Sequence, residues 1–369
     1  MAGSSLTPTP HSIDISLTGR CNLKCTYCFY ANEMTALTDL PTDKWLACFE
    51  ELGRLNTMEV TLSGGEAFTR RDLFELIDGV IANRMRYSLL SNGTLITDQV
   101  LARFDEGKRR QRLNSIQISI DGSRAEIHDA SRPKSFSRAV RGLRLLKEAG
   151  FPVTVRVTIT KHNLHDLENI AALLLEDIGL PSFSTNDAIP MGSGCQNEAE
   201  VALDSHEQYE AMQIVGRLLE RYPGRLNAQA GPQAKIQMYA EMEHARRTGE
   251  KTTRWGMGRL TACGCTFSKL AILHDGTIVP CNMLTERLGN ITTDSVHEIW
   301  HTHPVLTAMR QRRFIPMQDV LGCADCEWAP YCNGSCPALP YTLYGDFNRA
   351  NPHDCYRRFL QEVGHGVSA

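Results

Sequence analysis

The stretch that decides the fold is residues 13–28, which read IDISLTGRCNLKCTYC. Its apolar, β-branched start at 13–17 predicts a β-strand, and the loop that follows carries Cys21, Cys25 and Cys28. Three thiolates in one loop can take three corners of a cubane iron–sulfur cluster and leave the fourth iron open. A structural zinc site normally needs a fourth protein ligand. The spacing therefore favours a cluster over zinc or unrelated buried thiols.

The pattern that begins with this strand recurs as far as residue 190. Short β-branched runs alternate with longer amphipathic stretches, which is typical of βα units around a parallel sheet. The predicted strands are 13–17, 58–62, 87–90, 116–120, 153–159 and 183–185, and the predicted helices include 43–53, 72–83, 137–150 and 164–178. Six units favour an α/β fold with an open, partial (β/α)6 TIM-type barrel over residues 12–190.

The loops after the predicted strands are polar or rich in glycine. After the cysteine loop come SGGE at 63–66, SNGT at 91–94 and SIDG at 119–122. In parallel βα folds the loops at the carboxyl ends of the strands build the active site. We therefore expect the functional groups to meet at one mouth of the barrel.

Beyond the barrel the composition changes twice. Residues 191–255 contain a linker and helical patterns near 206–222 and 232–248, and they predict a helical bridge. Residues 256–363 are rich in cysteine and turns, with a predicted β-hairpin around the Asp-Gly turn of 269–281 and a short helix at 295–301. We expect residues 1–11 to be disordered or extended and residues 364–369 to form a C-terminal tail.

Charge and targeting signals narrow the function classes. The formal net charge is -3, from 39 Lys and Arg against 42 Asp and Glu, with no long run of one sign. This balance predicts neither nucleic acid nor a membrane as a partner. No secretory signal or membrane-spanning stretch stands out, so we expect a cytoplasmic protein, in which an abundance of 13 cysteines points to thiolate metal ligands and not to disulfides.

The CxxxCxxC spacing of residues 21–28, combined with the SGGE and SNGT loops, resembles the radical S-adenosylmethionine (radical SAM) superfamily. The resemblance implies that S-adenosylmethionine chelates the open iron of a [4Fe-4S] cluster and yields a 5′-deoxyadenosyl radical on reduction. It also implies that Gly64, Gly65 and Glu66 receive the methionyl amino group, where a close backbone approach needs glycine. Further implied contacts are Tyr27 beside the adenine, Ser91 and Asn92 near the ribose or carboxylate, Ser119 near the ribose, and Arg132 paired with the carboxylate.

Eight further cysteines lie beyond residue 260, and eight thiols suffice for two more clusters or for a pair of zinc ribbons. The CxxCxxxxxCxxxC run at 323–336 resembles the SPASM domain, a C-terminal extension of peptide-modifying radical enzymes. The resemblance implies two auxiliary [4Fe-4S] clusters, hence three in all. It also implies an inner ligand set of Cys263, Cys281 and Cys336, with Cys265 either a fourth ligand or a spare thiol, and an outer set of Cys323, Cys326, Cys332 and Cys355.

For three residues outside these sets, an ordinary structural role is the alternative to a role in the site. Cys48 falls among apolar residues of a predicted helix, so we interpret it as core. Cys195 follows the last predicted barrel strand in a glycine-rich loop and is a candidate to line the substrate cavity. His128 follows SIDG and would border the cofactor site, but a structural role is favoured. The sequence assigns no residue to the catalytic step itself.

The leading hypothesis is a radical SAM oxidoreductase that acts as a peptide maturase in RiPP maturation, the processing of ribosomally made peptides. It would abstract a hydrogen atom from such a peptide and leave a crosslinked or oxidised residue. About twenty residues precede Cys21, so leader recognition is expected to need a separate leader-binding protein or another surface. A flavodoxin or ferredoxin is the expected electron donor.

Three alternatives stay open. An anaerobic sulfatase-maturating enzyme, which makes formylglycine, is similar in length and cysteine pattern. That branch places an acidic residue after the inner-cluster Cys, whereas Asn282 follows Cys281 here, and an amide is no base. Small-molecule cofactor biosynthesis uses similar barrels and clusters. A non-catalytic electron-transfer protein would not need the SGGE and SNGT loops.

Overall fold

The computed structural model describes residues 6–35, 38–228, 230–251 and 256–364. Among them, ten strands form one sheet. They are β1 Ser12–Ser16, β2 Glu59–Ser63, β3 Arg86–Ser91, β4 Leu113–Ser119, β5 Val153–Ile159, β6 Phe183–Asp187, β7 Leu226–Ala228, β8 Lys269–Ile272, β9 Thr277–Val279 and β10 Gly289–Asn290. The order across the sheet is β10-β9-β8-β1-β2-β3-β4-β5-β6-β7.

Strands β1 to β7 are all parallel to their neighbours, and each crossover between β1 and β6 contains helix. The α-helices of the described residues are α1 Thr42–Arg54, α2 Leu73–Ala82, α3 Asp98–Phe104, α4 Arg109–Arg112, α5 Ala125–Ser131, α6 Phe136–Glu148, α7 Leu167–Ala172, α8 Ser193–Gln196, α9 Glu198–Val201, α10 Ser205–Arg221, α11 Pro232–Thr248, α12 Cys265–Ser268, α13 Val296–Thr302, α14 Pro304–Gln311, α15 Ala338–Tyr344 and α16 Tyr356–Val363. The α/β partial barrel predicted from the sequence is confirmed, and the six predicted strands correspond to β1 to β6.

The barrel core lies between the sheet and the helices that cover it. Alternate residues of β1, such as Ile13 and Ile15, are fully buried, and so is Leu143 of α6. This is the period of two expected for a strand with one face on the helices. Cys48 is also buried, on α1 beside Phe49, as predicted from its apolar neighbours.

Two features of the sheet go beyond the sequence prediction. The segment 191–255, expected to be helical, also contributes β7. This strand lies between α10 and α11 in the chain and pairs with β6. Three residues are too few to show a periodic pattern. The predicted hairpin of the cysteine-rich region exists as β8 and β9, but β8 also pairs in parallel with β1, so that Ser12 faces Lys269. The hairpin therefore extends the barrel sheet.

The chain ends are described only in part. Residues 6–11 run beside α12, where Thr7 N donates to Phe267 O at 3.1 Å and His11 N to Ser268 O at 2.8 Å. Residues 1–5 of the predicted N-terminal segment and 365–369 of the predicted tail lie outside the described residues. No helix among the described residues combines the length and the apolar character needed to cross a bilayer.

Candidate active site and cysteine clusters

The cysteine loop follows β1 and rests on the Gly-Gly-Glu segment after β2. Gly65 N donates to Thr18 O, and Glu66 N donates to Arg20 O, both at 2.8 Å. A Cβ on Gly65 would lie 2.3 Å from Arg20 O, and Gly64 has a φ of +142° with its own missing Cβ only 2.5 Å from Thr18 O. Both glycines are thus required by the contact with the cysteine loop. Their contact with a methionyl amino group stays a prediction.

Glu66 ties the second and third strand-end loops together. Its buried carboxylate accepts hydrogen bonds from Ser91 Oγ at 3.0 Å and from Asn92 N at 2.7 Å. Burial raises the pKa of this carboxyl, and the hydrogen bonds act in the opposite direction. Asn92 Nδ2 donates to Asn22 Oδ1 at 2.8 Å, and Asn22 Nδ2 donates to Thr94 Oγ1 at 2.8 Å. The structure therefore brings SGGE, SNGT and the cysteine loop into one network.

Asp121, in the loop after β4, is a second centre of this mouth. Its fully buried carboxylate accepts hydrogen bonds from the Tyr27 hydroxyl and Arg132 Nε, and from Thr158 N at 2.7 Å. The Arg132 guanidinium lies 5.3 Å from the Tyr27 ring centroid, and its Nη1 lies 3.6 Å from Cys25 Sγ. The Asp121 carboxylate therefore holds Tyr27 of the cysteine loop and positions Arg132 beside that loop.

The sequence predicted that the SIDG loop lies at the barrel mouth, but no role was predicted for its Asp121. A carboxylate at the carboxyl end of a parallel strand was the available signal. The predicted contacts of Tyr27, Arg132 and Ser119 with S-adenosylmethionine remain predictions. Ser119 ends β4 opposite Arg156 of β5.

His128 is hydrogen-bonded to the backbone of Asp121. The ring is fully buried, and Nδ1 accepts the Asp121 N–H at 3.1 Å. Nε2 therefore carries the proton and donates to Ser135 Oγ at 2.9 Å. Burial lowers the pKa of His128 to about 4, so the ring is neutral. This geometry supports the structural role that the sequence favoured.

The loop after β6 closes onto the cysteine loop. Ser193 N donates to Cys28 O at 2.9 Å, and Asn197 Nδ2 donates to Thr26 O at 2.8 Å. Cys195, on the short helix α8 of this segment, is exposed and borders an open groove of about 410 Å³ that reaches Cys355 and the exposed side chain of Tyr344. The groove therefore runs between the barrel and the cysteine-rich region.

A buried lysine joins these two regions beside the groove. Lys235 Nζ of α11 lies 3.4 Å from Asp187 Oδ2 at the end of β6 and 3.2 Å from Asp354 Oδ1, next to Cys355. It also donates to Gln208 Oε1 at 2.8 Å. Burial alone would lower the pKa of Lys235, but the two carboxylates outweigh it and raise this pKa. The lysine is therefore charged and pairs with both regions.

The electrostatic interactions among the C-terminal cysteines fall into two groups. In the inner set Cys265 interacts electrostatically with Cys263 and Cys281, and Cys281 also interacts with Cys336. In the outer set Cys332 interacts with Cys323, Cys326 and Cys355. Burial raises the pKa of the Cys281 and Cys332 thiols to about 12 each. Cluster ligation by these sets stays a prediction.

The donor chemistry of these sets fits iron–sulfur clusters. Each set offers only thiols, which are the ligands of four-iron clusters. Beside the inner set lies the fully buried Arg312, which interacts electrostatically with Cys263 and Cys336. A buried cation needs an anionic partner, and a thiolate-ligated cluster supplies one. In the described part of the chain, no three His, Cys, Asp or Glu side chains converge as they would around a single metal ion.

Two protein-family models match separate parts of the chain. Residues 15–174 match the model of the Radical SAM superfamily, and residues 263–327 match that of SPASM, an iron-sulfur cluster-binding domain. The second range includes Cys263 to Cys326, while Cys332, Cys336 and Cys355 lie beyond it.

Individual relatives cover almost the whole chain. The AdoMet-dependent heme synthase of Methanosarcina barkeri is 28% identical over 96% of this chain and 98% of its own length. The PqqA peptide cyclase of Ruegeria pomeroyi is 26% identical over 94% of this chain and 87% of its own. The crystal structure of Streptococcus suis SuiB bound to precursor peptide SuiA has a TM-score of 0.71 at 14% identity, covering 94% of this chain and 76% of that one. That last likeness shows a shared fold.

Proposed function

The chain carries a radical SAM domain followed by a SPASM domain, and from this premise we propose that it is a peptide maturase. It would abstract a hydrogen atom from a ribosomally made peptide and leave a crosslinked or oxidised residue. The observation that carries the peptide assignment is the open groove from Cys195 to Tyr344, which lies beside the outer cysteine set. Its lining, which mixes polar residues such as Gln208 with apolar ones such as Leu343, suits an extended peptide.

In the first step, some residues at the barrel mouth would hold the cluster and others would orient the groups around it. Cys21, Cys25 and Cys28 would hold one [4Fe-4S] cluster, and reduced cluster with bound S-adenosylmethionine supplies the 5′-deoxyadenosyl radical. The Glu66 network fixes the loops that would contact the methionyl group, and the Asp121 carboxylate orients Tyr27 and Arg132. The segment after β6 is hydrogen-bonded to Cys28 O through Ser193 N and so holds the end of the cysteine loop in place. A flavodoxin or ferredoxin would supply the electron.

The inner and outer cysteine sets would hold two auxiliary clusters, which can take up the second electron of an oxidation. Protein reconstituted without oxygen should therefore contain iron and sulfide for three four-iron clusters. The assay measures iron, sulfide and zinc per chain in the wild type and in a variant with Cys323 and Cys326 replaced by Ala. Loss of one cluster in the variant supports the reading. Iron for a single cluster, or stoichiometric zinc, contradicts it.

A substrate assay tests the peptide assignment. Reduced enzyme and S-adenosylmethionine are incubated with precursor peptides encoded near the gene, and 5′-deoxyadenosine is measured with the peptide mass. We expect a loss of two hydrogens from the peptide that matches the 5′-deoxyadenosine formed. Co-incubation with the leader-binding protein encoded nearby, where one exists, should increase the yield. Absence of any modification with every precursor would reject the peptide assignment.

A second candidate is small-molecule cofactor chemistry. It is favoured by one observation: the relative that is an AdoMet-dependent heme synthase aligns with nearly the whole of both chains. The same assay with a haem precursor in place of the peptide separates the two candidates. Substrate-dependent 5′-deoxyadenosine with the haem precursor alone would establish this second function.

A sulfatase-motif peptide makes the third arm of the assay. Asn282 follows Cys281, and its Oδ1 is buried without a hydrogen-bond partner among the described residues. Because an amide cannot act as a base, we expect no formylglycine from this peptide. Efficient formylglycine formation would show that another residue takes the proton.

A further inference from the structure

Arg312 occupies an unusual position between α14 and the inner cysteine set. It begins the 3-10 turn Arg312–Phe314 and has no solvent exposure. Its Nη1 donates to Thr261 O at 2.7 Å, two residues before Cys263. Nε and Nη2 are buried, and neither has a hydrogen-bond partner in the described ranges. The guanidinium thus keeps part of its donor capacity unused in a place that water does not reach.

The Arg312 guanidinium interacts electrostatically with Cys263, Cys336 and Asp346. Asp346 does not neutralise it in the interior, because its side chain is 49% exposed and lies 3.7 Å from Arg349 Nε. Burial lowers the pKa of Arg312 to about 10, which leaves it charged at neutral pH. The inner-set cysteines Cys263 and Cys336 are therefore the groups left to balance this buried charge.

We infer that Arg312 is the counter-ion of the cluster held by the inner cysteines and raises its reduction potential. Reduction adds one electron to the cluster without a bond being made or broken, so the reduced form carries one more negative charge. A fixed cation nearby stabilises that form more than the oxidised form. The inference rests on the proposed cluster at the inner set, but not on the identity of the substrate.

The test compares three variants in protein whose Cys21, Cys25 and Cys28 are replaced by Ala, so that two auxiliary couples remain. Arg312→Met removes the charge, and Arg312→Lys keeps it. Arg310→Met is the matched control, because Arg310 is a half-buried arginine that stacks on Trp300 and donates to Thr266 O at 2.8 Å. Potentiometric titration followed by electron paramagnetic resonance gives each midpoint potential.

We expect Arg312→Met to lower the potential of one couple by about 59 mV or more, which is a tenfold change in its reduction equilibrium. The outer couple should stay unchanged and serves as an internal reference. Arg312→Lys should keep most of the wild-type potential, and Arg310→Met should move neither couple. Unchanged potentials in Arg312→Met would overturn the inference while leaving the cluster assignment intact. A single auxiliary couple in the parent protein would overturn both.

Thermal unfolding gives a second readout that needs no activity. In cluster-free protein the Arg312 charge loses its partner, so the wild type should lose more stability on iron removal than Arg312→Met does. The measured quantity is the difference in Tm between loaded and cluster-free protein for each variant. An equal loss in wild type and Arg312→Met would contradict a counter-ion role, even when the loaded variant folds poorly.

Discussion

The two cysteine-bearing regions are built in opposite ways. At the barrel mouth, three cysteines come from eight consecutive residues, and the charged side chains around them are paired, as Glu66 is with Ser91 and Asp121 with Arg132. In the C-terminal region, eight cysteines come from segments spread over residues 263–355, and the cation beside the inner set has unused donors. The first region is organised by local loops. The second requires the whole domain to fold before its thiols meet.

This difference concerns pre-organisation. A mouth whose buried charged groups have partners keeps its shape before a cofactor binds, since buried polar groups that find partners carry no large penalty. A buried guanidinium with unsatisfied donors is stable only with an anionic partner. We therefore expect cluster loss to disturb the C-terminal region more than the barrel.

The largest expected effect is the loss of 5′-deoxyadenosine formation when the cysteines of the barrel mouth are replaced. Replacing Cys21, Cys25 and Cys28 together with Ala should abolish reductive formation of 5′-deoxyadenosine, because no other described loop offers the CxxxCxxC set. The auxiliary clusters should remain visible by Mössbauer spectroscopy, since their ligands lie in another region. Cleavage of S-adenosylmethionine by the triple variant would show that the radical site is misplaced.

The junction between the regions is tested by Lys235→Met. Removing this buried cation leaves Asp187 and Asp354 without their partner, and we expect a loss of roughly 3–5 kcal/mol in the free energy of unfolding. The control is Arg217→Met, which breaks an exposed ion pair with Glu168 and should cost less than about 1 kcal/mol. Denaturant unfolding measures both. Equal losses would mean that the buried network does not join the regions.

Acid should weaken the barrel mouth through His128. Its pKa in the folded state is about 4, below the ordinary 6.5, so the neutral ring stabilises the fold fully above pH 6.5. That contribution, roughly 3 kcal/mol, is lost as the pH falls from 6.5 toward 4, where the unfolded state binds more protons. Unfolding measured across this range should be flatter in His128→Gln. The exposed His165 is the control, and His165→Gln should follow the wild-type curve.

The smallest effects are expected at the two cysteines outside the sets. Cys195→Ala changes an exposed side chain and should alter stability by less than about 0.5 kcal/mol. Cys48→Ala leaves a small cavity beside Phe49 and should cost about 1 kcal/mol. Neither variant should change the iron content. A loss of four irons in either variant would show that the replaced cysteine is a cluster ligand. The contrast between the two regions would then be weaker.

Much of the barrel was predictable because its signals are local. The period of two in 13–17 marks β1, and the glycine-rich loops mark the strand ends that meet at the mouth. The strand β7 was missed because three residues carry no period. Asp121 was missed because a carboxylate in a loop looks solvated until the burial by Arg132 and Tyr27 is seen.

The sequence by itself determined the βα alternation, the cysteine spacing and the loops that follow the strands, since each depends on residues within a few positions of one another. Only the tertiary structure decided that β8 extends the barrel sheet beside β1, that Lys235 joins Asp187 to Asp354, and that Arg312 faces the inner cysteines. These contacts connect residues far apart in the chain. Their geometry depends on the packing of several elements at once, which no local pattern encodes.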